Sequence, residues 1–112
     1  MTTALLRISS SPGRVNEIRA TLSGARIERG EVVIESAIES SRPLNDHLAT
    51  LWRSLNKHRK FLKRMQTEGV KFVCVAKVSD DTFSLLPSGI EMLHVMQIEL
   101  KLERRREIRA GQ

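Results

Sequence analysis

Apolar residues recur at three- and four-residue steps from Leu44 to Glu68, the longest helical pattern in the chain. Leu44, Leu48, Leu51, Trp52, Leu55, Leu62 and Met65 form one stripe at about 100° per residue, with His47, His58 and Phe61 on its flank. Pro43 precedes the stripe, Asn45 or Asp46 offers a cap, and Gly69 stops it. One continuous helix of roughly 25 residues would span nearly 40 Å at about 1.5 Å per residue.

Shorter patterns flank this stretch. Ala4 to Ile8 alternates as a strand does. Ser11-Pro12-Gly13 then reads as a helix entry, with Val15, Ile18, Ala20 and Leu22 on a two-turn helix that Gly24 closes. Ala25–Arg29 and Glu31–Glu35 alternate around Arg29-Gly30, a hairpin signature, and the second strand runs on toward Ala37 and Ile38. Val70–Val78 is rich in β-branched residues and apolar on both parities at its centre, which predicts a strand inside the sheet. Ser79–Thr82 reads as a turn and Phe83–Leu86 as a short strand or edge segment. Pro87 and Ser88 open a short helix, with Ser88 its cap and Ile90, Leu93 and Met96 on one face. Gln97–Glu103 alternates, placing Ile98, Leu100 and Leu102 inward.

The order β-α-β-β-α-β, followed by a further helix and strand, predicts one α+β domain over residues 1–103. Its first six elements match the ferredoxin-like split β-α-β arrangement, with the long helix across an antiparallel sheet. Residues 104–112 read as a charged, frayed tail. Val73 and Val75 share the parity opposite to Phe72, Cys74 and Ala76. The sheet face away from the helix therefore asks for cover from the C-terminal elements or a second subunit, and the expectation is a monomer or a homodimer.

Charge changes this picture in one place. Arg53, Lys57, Arg59, Lys60, Lys63 and Arg64 are six basic residues in a stretch without an acidic one, while residues 1–52 hold six of each sign and residues 65–112 seven of each. The whole net charge of +6 thus resides between Arg53 and Arg64. Arg53, Lys57, Lys60 and Arg64 follow steps of four, three and four, which places them on one solvent-facing strip. Three uses compete: a merely solvated face, docking to an acidic protein partner as immunity and adaptor proteins do, and contact with nucleic-acid phosphates. Three Phe, one Trp and no Tyr supply little stacking surface, which disfavours nucleic acid.

Catalytic and metal signatures are missing from the pattern. The one cysteine excludes an internal disulfide and a multi-cysteine zinc site, and suits a reducing, cytoplasmic setting. Residues 1–7 do not have the make-up of a secretory leader, and no stretch reaches the roughly 20 apolar residues of a membrane span. Cys74, inside the strongest strand, reads as a small buried apolar residue. His47 and His58 would stand about 16 Å apart on one helix, too far to share a metal. His94 stands alone, Asp80-Asp81 lacks the further ligands of a metal loop, and the glycines are too scattered for a phosphate loop. The residues read as a non-enzymatic binding or interaction domain without a cofactor, and His47 as a hydrogen-bond donor at the helix–sheet boundary.

Two resemblances attach to these motifs. Leu44, His47 and Leu48 after two β units, Gly69, Phe83-Ser84-Leu85 and the strand Ile98–Leu102 together resemble a bacterial family known as domain of unknown function 4279. That family usually carries a tryptophan near the third strand, where this chain has Val32-Val33-Ile34; its tryptophan, Trp52, is on the helix. The resemblance implies a fold and no activity. The segment Leu5–Ile34 is similar to the start of ACT regulatory domains. That similarity implies a small effector, often an amino acid, bound at the turn Ser11-Pro12-Gly13 in a dimer interface.

Overall fold

A computed structural model describes residues 1–79 and 84–104. The architecture is α+β. Strands β1 (Thr2–Ser9), β2 (Arg26–Glu28), β3 (Glu31–Glu35), β4 (Lys71–Val78) and β5 (Glu99–Arg104) form one sheet in the order β2-β3-β1-β4-β5. Helices α1 (Pro12–Thr21), α2 (Leu44–Leu55), α3 (Arg59–Thr67) and α4 (Pro87–Val95) complete it. The first four strands are antiparallel with the ferredoxin-like split β-α-β order. β5 departs from the antiparallel expectation: it runs parallel to β4, and α4 supplies the crossover such a pair requires.

β1 is the axis of the sheet. Its even residues pair across both neighbours: Leu6 lies between Ile34 and Cys74, and Ile8 between Val32 and Phe72. These side chains face the helices and join Val15 and Ile18 of α1, Leu44, Leu48, Leu51 and Leu55 of α2, and Leu62 and Met65 of α3 in one core. Arg29 and Gly30 both take positive φ, at 50° and 78°, between Glu28 and Glu31, as a two-residue type I′ turn requires.

The long helix is not continuous. A three-residue 3-10 turn, Asn56–His58, separates α2 from α3, and His58 leaves helical backbone at φ −108°, ψ 16°. Residues Asn56 to Lys60 bury nothing in the core, Phe61 packs against it only in part, and Asn56 and His58 are weak helix formers. α3 does end where Gly69 predicts. Gly69 sits at φ 92°, Val70 N–H donates to Met65 O at 3.0 Å, and Gly69 N–H to Gln66 O at 3.1 Å, a Schellman closure.

Other expectations need correction. α2 begins after Pro43 without a side-chain cap. Asp46 instead pairs with Arg42 at 2.9 Å, and Asn45 is committed to α4. β3 stops at Glu35, because Ala37 turns to φ 54°. No strand forms over Ser84–Leu86. Ser88 lies inside α4 rather than capping it, and the buried face of α4 is Gly89, Met92 and the following Met96, not Ile90. Leu102, on the helix side of β5, is 45% exposed. Phe83 and the Asp80-Asp81 turn lie outside the described residues, as does the charged tail apart from Arg104, whose backbone ends β5.

The far face of the sheet carries two buried valines. Val33 and Val75 are buried there, outside the core cluster on the helix side. Val33 sits between Arg26 and Arg7, and Val75 between Leu5 and Lys101, so long charged side chains can lay their stems on the valines.

Candidate binding surface and the His47 cavity

The basic strip is present but bent. Arg53 closes α2, Lys57 lies in the 3-10 turn, Lys60 opens α3 and Arg64 closes it. All four are exposed, as are Arg59 and Lys63. Among the described residues none of the six makes an ion pair, whereas Arg14, Arg26, Arg42 and Lys77 each hold a carboxylate. Arg64 instead stands over the Phe61 ring, 5.6 Å from its centroid. The placement is costly for the helix itself. The first turn of α3 holds no acidic residue, and cations there oppose the helix dipole. Lys57 stands four residues after Arg53 and three before Lys60, so like charges face each other.

The turn Ser11-Pro12-Gly13 is exposed and opens α1, with Pro12 in its first turn and no side-chain bond from Ser11. Leu44, His47 and Leu48 are all buried on the inner side of α2.

His47 is the unusual member of that core. It is 1% exposed, and its Nδ1 lies 2.6 Å from Ser36 Oγ, just past the end of β3. Nε2 is buried with no hydrogen-bond partner among the described residues. Burial pushes the ring's pKa down from its usual value, and the nearby backbone carbonyls of Arg42 and Glu39 only partly offset this. The ring is therefore neutral at pH 7. Among the described residues the serine–histidine contact lacks the orienting group of a catalytic triad, since none of them pairs with the second ring nitrogen.

Beside His47 the sheet opens. Beyond the Leu5–Glu35 pair, Ser36 N–H still reaches Ala4 O at 3.0 Å, and Thr2 N–H reaches Ser40 O at 2.8 Å. The intervening Ala37-Ile38-Glu39 bow away from β1. A cavity of about 260 Å³ occupies the gap, bounded by Leu5, Ile38, Val75 and Lys77, with His47 reaching it from the helix layer. A second, more open groove of about 480 Å³ lies on the other side of Ala37 and Ile38, against Asp46, Thr50 and Arg53.

No family model, curated protein or solved structure matches this chain.

Cys74 is buried in β4, and burial alone pushes its thiol up to about 12, so it is no nucleophile at neutral pH. Among the described residues no three His, Cys, Asp or Glu side chains stand together as a metal site, and no helix is long and apolar enough to cross a membrane. Sequence reasoning missed Ser36, which follows a strand and has no motif around it. A histidine on the flank of an apolar stripe was the only visible signal of the pair.

Proposed function

We propose that this is a non-catalytic interaction domain that docks an acidic surface of a protein partner through Arg53, Lys57, Lys60 and Arg64. The observation that carries the reading is a run of six exposed cations without an ion pair among the described residues, kept at a cost to its own helices. Charge of this kind speeds encounter with an opposite surface more than it deepens affinity. Among the described residues the aromatic side chains favour protein over single-stranded nucleic acid. Trp52 and Phe72 are buried, and the half-buried Phe61 is covered by Arg64, so none offers an open stacking platform.

Fluorescence anisotropy against labelled poly-glutamate and a short DNA duplex tests this over a salt series. Poly-glutamate should bind at low salt, and Arg53→Glu with Lys60→Glu should abolish binding. Tight duplex binding at physiological salt, with a log–log slope near −3.6 for about four neutralised phosphates, would favour the phosphate reading instead. No binding to either probe, or binding that survives the charge reversal, sinks the reading. The reversal should move stability by about half a kcal/mol or less. The two dipole effects oppose each other, since a glutamate at position 60 suits the start of α3 and one at position 53 does not suit the end of α2.

A further inference from the structure

We infer that β5 is a dimerisation edge, independent of the basic strip: two copies of this chain join their sheets by antiparallel pairing of β5 with β5 about a two-fold axis at Leu102. β5 is the outermost strand at its end of the sheet, and among the described residues β4 is the one element it packs against closely. Its pairing with β4 uses one edge, so the other presents N–H and C=O groups that no described strand takes up. The opposite end of the sheet is protected. There β2 is only three residues long, and its Arg26 is tied to Glu28 and Glu35. β5 is twice as long, Glu99–Arg104, and has neither proline nor glycine to blunt it. Its helix-side positions are also open. Leu100 is half-buried and Leu102 is 45% exposed, because α4 packs on α2 rather than on β5. A further strand beside β5 would cover both leucines.

The charges select a second copy as that strand, and they select its register. A two-fold axis normal to the sheet keeps both helix layers on one side and sets residues of like parity opposite each other. Centred on Leu102, it puts Leu102 on Leu102, and Lys101 of each copy opposite Glu103 of the other. Centred on Lys101, it would put Lys101 on Lys101 and Glu99 on Glu103, like charge against like. Centred on Leu100, it would call on Ile98, whose N–H is already given to Leu93 O at 2.9 Å, and on Gln97, which turns to φ 50°. The Leu102 register alone satisfies the leucines, the charges and the backbone.

Sedimentation equilibrium of the full chain, from about 10 μM to about 1 mM, spans the affinities expected of so small an interface. A reversible monomer–dimer equilibrium is the expected result. Lys101→Glu should weaken it about tenfold, because the change occurs twice across the axis. Glu103→Lys should do the same, and the two together should restore the dimer, since the reversed pair is again opposite in sign. Both positions are exposed, so the variants should stay folded, which circular dichroism checks. Leu102→Cys should form an intermolecular disulfide on mild oxidation faster than Lys101→Cys, while the native Cys74 is buried. A monomer throughout the range, a dimer indifferent to Lys101→Glu, a double reversal that fails to restore it, or assemblies that keep growing past two copies overturns the inference. So does a dimer lost on Arg53→Glu with Lys60→Glu.

Discussion

Replacing Gly89 by alanine should destabilise this protein, although in an ordinary exposed helix the change gains up to about 1 kcal/mol. The reason is the contact between α4 and α2. A Cβ at position 89 would lie 2.1 Å from Asn45 Oδ1 and 3.3 Å from Asn45 Cα. The amide side chain must move, and it is not idle. Its Oδ1 accepts Leu86 N–H at 2.8 Å at the start of α4, and its Nδ2 donates to Ser88 Oγ at 3.1 Å. Overpacking costs about 1–3 kcal/mol and a displaced, partly buried hydrogen bond about 1–2 more. Subtracting the propensity gain leaves a loss of about 2 kcal/mol, or about 8 °C in Tm for a domain this size. Urea unfolding followed by circular dichroism measures it. Asn45→Ala removes both the obstacle and the hydrogen bonds, so alanine at both positions should cost clearly less than the two single losses together. A residual loss should persist in the double variant, because the backbone contact at 3.3 Å remains. Gly89→Ala at or above parental stability, or strict additivity of the two changes, refutes the close approach.

Two further outcomes follow from buried titrating groups. Burial depresses the folded pKa of His47 below the unfolded value of 6.5, so its contribution to stability is complete above about 6.5 and is lost as pH falls toward the folded value. The urea midpoint should therefore drop in mild acid, and His47→Gln should flatten that drop; a slope unchanged by the substitution assigns it elsewhere. With its thiol raised to about 12, Cys74 should react with a thiol reagent at pH 8 only as fast as the protein opens, and rapid labelling of the native chain contradicts its burial.

Much of the fold was legible because strands and turns carry local signals. Glu31–Glu35 alternates, Lys71–Val78 is β-branched, and Arg29-Gly30 supplies a turn that only positive φ permits. What failed was decided by contacts between distant residues. The apolar stripe from Leu44 to Met65 keeps helical spacing across the 3-10 turn, so spacing alone cannot reveal that residues 56–58 lack a core anchor. The rotation of α4 is set by its glycine, which carries no hydrophobic signal yet is the residue that lets α2 approach. Of the candidate sites, the basic strip was readable as a count of charges. The His47 cavity was not, since it depends on Ser36, on the turn at Ala37 and on where β3 ends.

The position of β1 has a consequence for biosynthesis. This strand needs two partners, and one of them, β4, spans Lys71–Val78, more than sixty residues further along the chain. Pairing with β3 can form as soon as the first hairpin emerges from the ribosome, but Ala4, Leu6 and Ile8 then offer an unsatisfied edge until β4 arrives. During that interval the half-built sheet is a template for the equivalent strand of a neighbouring nascent chain. Slowing translation between residues 40 and 70 should thus raise the insoluble fraction without altering the stability of the finished protein.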